Sequence, residues 1–178
     1  YDMQPQLGLQ TVFGYKKPGD TPLQRIRELA RRFVDLGLES FSLADTTGMA
    51  HPVQIQEYVE AVREEIGDTP LVLHLHDTRG MGLANVLAAL QCGVTRFDTS
   101  LGGLGGCPFI PGATGNIATE DTVYMLEAMG VRTGIDYRRV AELALELEAF
   151  LGKELPGRQT RLLARQRALA ASESRSCS

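Results

Sequence analysis

The sequence predicts an α/β fold with parallel strands, on the strength of three observations. Short apolar runs alternate with amphipathic segments along most of the 178 residues. Glycine ends most of the amphipathic segments, and polar residues follow the apolar runs. Strand–helix alternation with short connections is typical of parallel strands joined by right-handed crossovers. With 43% hydrophobic residues, the chain is long enough for one globular domain with a core.

The predicted elements form four strand–helix units followed by further helices. Strands are predicted at residues 9–13, 40–44, 71–76 and 95–100. The first helix is expected to begin with Thr21 as N-cap and Pro22 as its first residue, because both are favoured there. The first three helices are predicted to end at Gly37, Gly67 and Gly93. A fourth is predicted to begin near Thr119, with Glu120 and Asp121 complementing its dipole, and a last to cover residues 136–151.

Four units are half of the eight that a TIM barrel needs in about 250 residues. The chain is therefore either the C-terminal half of a longer enzyme or a small open sheet complete in itself. The first residue, Tyr1, is not methionine, and this favours the longer enzyme. We expect residues 1–152 to form the half barrel and residues 153–178 to form a basic, poorly ordered tail, since that stretch is rich in arginine and lacks aromatic residues.

Composition argues against several classes of protein. A net charge of −4 offers no basic surface suited to nucleic acid, and no apolar run is long enough to span a bilayer. The three cysteines, Cys92, Cys107 and Cys177, are odd in number and widely spaced. This spacing argues against a disulfide framework and favours a reducing compartment such as the cytoplasm, or the mitochondrial matrix in a eukaryote.

The pair His74 and His76 is the strongest chemical signal in the chain. Residues two positions apart on a strand point to the same face, so both imidazoles can face one cation. Asn116, in a glycine-rich loop, would add a carboxamide oxygen, and mixed nitrogen and oxygen ligands suit a divalent cation used as a Lewis acid. The alternative is an ordinary hydrogen-bonded histidine pair in the core.

The loop that contains Cys107 carries six glycines between residues 101 and 116. Glycine at this density is costly in chain entropy unless the backbone must approach something closely. Cys107 follows Gly105 and Gly106 and precedes a proline, which favours a reactive thiol over a small buried hydrophobe.

Two aspartates at strand ends have two interpretations each. Asp45 follows the second predicted strand and is either a functional carboxylate or a residue that caps a turn. Asp77 follows the histidine pair and either orients an imidazole or begins the turn into the next helix.

Together these residues resemble the hydroxymethylglutaryl-CoA lyase family, within the wider group of metal-dependent lyase and aldolase-type barrels. The resemblance rests on the segments SLADTTG at 42–48, HLHDT at 74–78, GLGGCP at 103–108 and GATGNIATED at 112–121. Related synthases that make isopropylmalate or citramalate share the histidine pair but usually follow it with Asn-Asp. Here Asp77 and Thr78 follow it, as in the lyases.

The resemblance implies a TIM barrel of which this chain supplies the fifth to eighth strands and the closing helices. It implies cleavage of 3-hydroxy-3-methylglutaryl-CoA to acetyl-CoA and acetoacetate, as in leucine degradation and ketone body metabolism, with Mg²⁺ or Mn²⁺. It also implies an acyl-CoA substrate, a missing N-terminal half of the barrel and a homodimer. By matched position the metal ligands would be His74, His76 and Asn116, the catalytic residues Cys107, His74 and Asp45, and the substrate-binding residues Gly105 and Gly106.

One departure from the family is Arg79. Typical members continue with Tyr-Gly-Gln-Ala after the histidine motif, whereas this chain has Arg79, Gly80, Met81 and Gly82. Arg79 is expected either to bind a carboxylate or phosphate of an acyl-CoA or to be a surface charge. Two rival interpretations remain at this stage: a condensing synthase, and a non-catalytic half-barrel module.

Overall fold

The computed structural model describes residues 6–37, 39–106 and 115–176. Backbone contacts divide the chain into two compact units. The first contains residues 1–98 and 106–116, and the second contains residues 99–105 and 117–178.

The first unit is a four-stranded parallel sheet with the helices that connect its strands. The strands lie in the order β1 (Gln6–Leu9), β2 (Ser40–Ala44), β3 (Leu71–His74) and β4 (Arg96–Asp98). The helices are α1 (Leu23–Val34), α2 (Pro52–Ile66) and α3 (Gly82–Gln91), with α1 packed against α2 and α2 against α3. The predicted strand–helix alternation is therefore confirmed. Residues 40–44 and the glycine ends after α2 and α3 lie where the sequence predicts them.

The two faces of this sheet differ in chemistry. One face carries buried apolar side chains such as Phe41, Leu43 and Leu73, and the ring centroid of Phe41 lies 6.1 Å from that of Phe33 in α1. The strand register brings the alternate residues to the opposite face, where Ala44 pairs with His74 and His74 pairs with Asp98. The helices therefore cover the apolar face, and the other face carries polar side chains such as Ser42, His74 and Asp98.

The first strand and first helix begin at different residues from those predicted. The strand ends at Leu9, and Val12 and Phe13, although fully buried, lie in the turn that follows. Their apolar side chains explain why the sequence indicates a strand there. The Thr21 hydroxyl donates a hydrogen bond to the Thr11 carbonyl (2.7 Å) instead of capping a helix, and α1 begins at Leu23.

The third and fourth strands are shorter than predicted. β3 ends at His74 rather than residue 76, and β4 covers three residues rather than six. His76 pairs instead with Asn116, and Ser100 pairs with Ala118, each in an isolated bridge. Each of these two strands therefore ends before a residue that forms an isolated bridge with the segment 116–118.

The second unit is helical. It contains a short 3-10 helix (Leu101–Gly103), α4 (Thr119–Ala128), α5 (Tyr137–Leu151) and α6 (Arg158–Ser176), and all three α-helices contact one another. The predicted starts of α4 and α5 are confirmed, and Asp136 caps α5 by accepting hydrogen bonds from two backbone N–H groups. No helix in the described ranges combines the length and apolar composition that a bilayer crossing requires.

The segment expected to be a poorly ordered tail forms helix α6 over most of its length. Its first turn is capped by a residue distant in sequence. The carboxylate of Asp121 accepts hydrogen bonds from the backbone N–H groups of Arg158 and Gln159, both at 2.7 Å. Because this cap lies in α4, it leaves no local signal in the sequence of the tail.

Glu120 also does more than complement the dipole of α4. Its side chain is fully buried. One carboxylate oxygen accepts a hydrogen bond from the Gly102 N–H (3.1 Å), and the other accepts one from the Thr160 hydroxyl (2.5 Å). Glu120 thus joins the 3-10 helix to α6 within this unit.

We predict that Thr160→Val lowers the free energy of unfolding by about 1–3 kcal/mol, because it leaves one oxygen of a buried carboxylate without its donor. Urea denaturation followed by circular dichroism measures this loss. The matched control is Ser172→Ala on the exposed part of α6, which should change stability by less than about 0.5 kcal/mol. Equal stability of Thr160→Val and the parent protein would contradict this account of Glu120.

Candidate functional site

His74 and His76 point their imidazoles toward each other on the polar side of the sheet. Their Nε2 atoms lie 3.2 Å apart and their ring centroids 5.2 Å apart. His74 is half-buried at the end of β3, and His76 is buried just beyond it. The same-face geometry predicted from the spacing of the two histidines is therefore present.

Asn116 reaches this pair through the backbone. It forms an isolated antiparallel bridge with His76, and the neighbouring Asp77 N–H donates a hydrogen bond to the Gly115 carbonyl (3.1 Å). The three residues predicted as metal ligands are thus brought together in the first unit, although they lie far apart in sequence.

The residues present fit part of the coordination sphere of a small divalent cation. Adjacent ligands of an octahedral ion at about 2.1 Å lie about 3.0 Å apart, close to the distance between the two Nε2 atoms. Among the residues that the structure describes, no three His, Cys, Asp or Glu side chains form a cluster able to hold a metal ion. The two imidazoles would therefore form part of a ligand set, to which Asn116 would add its carboxamide oxygen.

The environment of His76 favours its neutral form. Burial, and to a lesser extent the nearby His74 ring, lower the pKa of His76. Its Nδ1 atom is buried, with no hydrogen-bond partner in the described part of the chain. A neutral imidazole keeps a lone pair on nitrogen, which is the form that binds metal ions.

Asp98 is a neighbour of His74 that the sequence reasoning missed. Its Oδ2 atom lies 3.4 Å from the Nδ1 atom of His74, and the two residues are Cα partners between β3 and β4. The available signal was its position inside the predicted strand 95–100, two residues before the end of that strand.

Asp45 organises the loop after β2. Its side chain is almost completely buried, and its two carboxylate oxygens accept hydrogen bonds from the Met49 N–H (2.9 Å) and the Ala50 N–H (3.2 Å). Burial has the largest effect on this carboxyl and raises its pKa to about 6. The two N–H donors and Arg79 act in the opposite direction and lower the pKa, but by less. The observed contacts are those of the turn-capping interpretation.

Asp77 also adopts the turn-forming role. Its Oδ1 atom accepts a hydrogen bond from the Gly82 N–H (2.7 Å) at the start of α3. Among the described carboxylates, Asp98 rather than Asp77 lies beside an imidazole.

Arg79 joins the loop after β3 to the loop after β2. Its Nη1 atom donates hydrogen bonds to the carbonyls of Thr47 (2.6 Å) and Gly48 (3.3 Å). The loops approach so closely that a Cβ atom on Gly48, whose φ is +62°, would lie 2.7 Å from the Thr78 Cβ. Arg79 is exposed, and these two contacts hold it near the carboxyl ends of two strands.

The glycine-rich loop begins with a close approach of the kind its composition predicts. A Cβ atom on Gly102, whose φ is +63°, would lie 2.5 Å from a methyl carbon of Leu155. Gly105 and Gly106 are exposed. Cys107, the predicted reactive thiol, lies outside the described residues, as do residues 108–114.

A cavity of about 310 Å³ lies over the polar face of the sheet. It is lined by residues from all four strands, including Ser42, Val72, His74 and Asp98. The carboxyl ends of parallel strands are where α/β enzymes place ligands. The sheet and the histidine pair at its edge thus define a class of protein: an α/β protein with a candidate metal site.

Comparison with known proteins identifies the family. Residues 3–146 match the model of the HMGL-like family. The chain is 44% identical over 150 residues to the hydroxymethylglutaryl-CoA lyase of Bacillus subtilis, covering 84% of this chain and 50% of that protein. It is 43% identical to the (R)-citramalyl-CoA lyase of Chloroflexus aurantiacus, covering 84% and 47%. The chain therefore belongs to the HMGL-like family.

Solved structures agree with this assignment. An HMG-CoA lyase from Acinetobacter baumannii in complex with coenzyme A and 3-methylmalate has a TM-score of 0.81 and 44% identity, covering 88% of this chain and 51% of that one. These neighbours are TIM barrels, which confirms the predicted fold class. The chain spans about half the length of the curated relatives it matches.

We predict that the Asp45 carboxyl titrates near pH 6, above its ordinary value of 3.8, because burial penalises its charged form. The folded protein then holds this proton more tightly than the unfolded chain. The contribution of Asp45 to stability is complete below about pH 4 and is lost as the pH rises through about 6.

Asp45→Asn removes this titration and provides the control. Between pH 4 and 7, in the presence of EDTA, the unfolding free energy of the parent protein should fall relative to that of Asp45→Asn by on the order of 3 kcal/mol. Carboxyl ¹³C NMR measures the pKa directly. Parallel stability curves for the two proteins would contradict the predicted shift.

Proposed function

We propose that the protein containing this chain is a carbon–carbon lyase that cleaves 3-hydroxy-3-methylglutaryl-CoA to acetyl-CoA and acetoacetate, or that cleaves a close 3-hydroxyacyl-CoA in the same way. The observation that carries the proposal is the convergence of His74 and His76 beside Asn116 in a chain of the HMGL-like family. The name and bound coenzyme A of the structural neighbour support an acyl-CoA substrate.

The proposed reaction needs three chemical functions. A base removes the proton of the tertiary hydroxyl, the carbon–carbon bond breaks as the new ketone forms, and the resulting acetyl-CoA enolate accepts a proton at carbon. Mg²⁺ or Mn²⁺, held by His74, His76 and Asn116, would lower the pKa of the hydroxyl and stabilise the developing charge. The neutral form favoured for His76 supports its assignment as a nitrogen ligand.

The remaining roles follow the resemblance of the sequence to the family. We assign Cys107 as the thiol that donates the proton to the enolate, on a loop in which Gly105 and Gly106 let the backbone approach the substrate. His74 serves the reaction as a ligand at the reacting centre. Asp45 acts near the substrate by holding the loop after β2, as its two backbone hydrogen bonds indicate.

Within the described residues, the coordination sphere proposed for the cation is incomplete. We therefore propose that an N-terminal half of the barrel supplies further ligands, and that the complete protein is a homodimer in a reducing compartment. The fraction of each relative that the chain covers supports a missing half. A non-catalytic module is the alternative, and turnover by the complete protein excludes it.

A second substrate is favoured by one specific observation. The similarity to the (R)-citramalyl-CoA lyase equals that to the hydroxymethylglutaryl-CoA lyase within one percentage point of identity. Assaying thioester cleavage with 3-hydroxy-3-methylglutaryl-CoA and with citramalyl-CoA compares the two directly. Assaying condensation with oxo acids tests the synthase alternative.

We predict that His76→Ala and Asn116→Ala each weaken Mn²⁺ binding by at least tenfold and abolish measurable lyase turnover in the full-length protein. Each change removes one proposed ligand. Electron paramagnetic resonance measures free Mn²⁺, and acetyl-CoA release measures turnover. His51→Ala is the control, because His51 is exposed and its ring accepts a hydrogen bond at the start of α2. Unchanged Mn²⁺ affinity in both variants would refute the proposed metal site.

We predict that Arg79→Ala raises the apparent KM for the acyl-CoA substrate several-fold, because a guanidinium near the site can pair with a carboxylate or phosphate. Its loop contacts supply an internal check. Arg79→Lys keeps the charge but loses the paired geometry, and should give a smaller increase. A lower stability of Arg79→Ala with an unchanged KM would assign Arg79 to loop structure alone.

A further inference from the structure

His74 has a carboxylate neighbour with no role in the proposed reaction. Asp98 lies at the end of β4, in register with His74 at the end of β3. Cα partners on adjacent parallel strands project their side chains to the same face, so this approach follows from the sheet itself. The Oδ2 atom of Asp98 lies 3.4 Å from the Nδ1 atom of His74.

The two ring nitrogens of His74 face different partners. Nδ1 faces Asp98, and Nε2 lies 3.2 Å from the Nε2 atom of His76. In a neutral imidazole, one nitrogen carries the proton and the other keeps a lone pair. A carboxylate beside Nδ1 favours the proton at Nδ1 and leaves the lone pair at Nε2, on the side of the candidate metal site.

The other acidic side chains near the strand ends are already engaged elsewhere. Asp77 accepts a hydrogen bond from the Gly82 N–H, and Asp45 accepts two from the loop after β2. His76 differs from His74, because its Nδ1 atom is buried with no hydrogen-bond partner in the described residues. The carboxylate contact is therefore particular to His74.

We propose that Asp98 is a positioning residue for His74: it selects the tautomer protonated at Nδ1 and turns Nε2 toward the cation shared with His76. This inference rests on the proposed function, since it concerns the same metal site. Asp98 acts through the imidazole and is not itself a ligand. Partners of this kind typically change metal affinity by 10- to 100-fold when they are removed.

The first test measures Mn²⁺ affinity in the full-length protein by electron paramagnetic resonance. Asp98→Ala should weaken binding by about 10- to 100-fold. Asp98→Asn should weaken it less, because the amide oxygen can still accept a hydrogen bond from Nδ1. The matched control is Asp68→Ala, which removes the same charge from an exposed turn after α2 and should leave the affinity unchanged.

The second test reads the tautomer directly. In metal-free protein labelled with ¹⁵N-histidine, His74 should show a protonated Nδ1 and an unprotonated Nε2, with the signal assigned from a His74→Gln variant. Asp98→Ala should shift this signal toward a mixture of tautomers, whereas Asp68→Ala should not. Asp98 is exposed in this chain, so we expect the variants to fold, and circular dichroism checks this.

The outcomes separate this inference from the proposed function. If the parent protein binds Mn²⁺ and Asp98→Ala binds it within twofold with the same His74 tautomer, the role of Asp98 is overturned and the metal site stands. If the parent protein does not bind Mn²⁺, the proposed metal site is wrong and the inference fails with it.

Discussion

The backbone bridge between His76 and Asn116 is the constraint on which the candidate site depends. Strand geometry alone brings two imidazoles to one face, but it cannot bring a carboxamide from the far end of a glycine-rich loop. The bridge and the adjacent hydrogen bond from the Asp77 N–H to the Gly115 carbonyl hold that end of the loop beside β3. Backbone pairing therefore holds Gly115 and Asn116 beside β3 independently of any ligand.

The parts of the fold that the sequence predicts correctly are those controlled by local rules. β2 and α2 have clear start and stop residues, and the spacing of two positions brings the rings of His74, at the end of β3, and His76, just beyond it, together. The resemblance to a family added the prediction that these strands belong to a TIM barrel. Hydrophobic period and glycine stops act within a few residues, so a single sequence is enough to detect them.

The features that the sequence did not predict depend on partners distant along the chain. Val12 and Phe13 are apolar enough for a strand but pack in a turn, and Asp98 becomes relevant only through its register with His74. The acidic residues Glu120 and Asp121 follow a local rule for helix starts, yet their carboxylates bind the 3-10 helix and α6. Neither strand register nor capping by a distant residue produces a sequence pattern at a fixed spacing.

The anchoring of α6 at its first turn has a practical consequence for spectroscopy. Asp121 and Glu120 fix the segment around Arg158 and Thr160, whereas residues 165–174 are solvent-exposed. A spin label or fluorophore attached at residues 168–174 would sit on a helix whose base is rigid while making few contacts of its own. Such a probe would report the rotational motion of α6 beyond its anchored first turn.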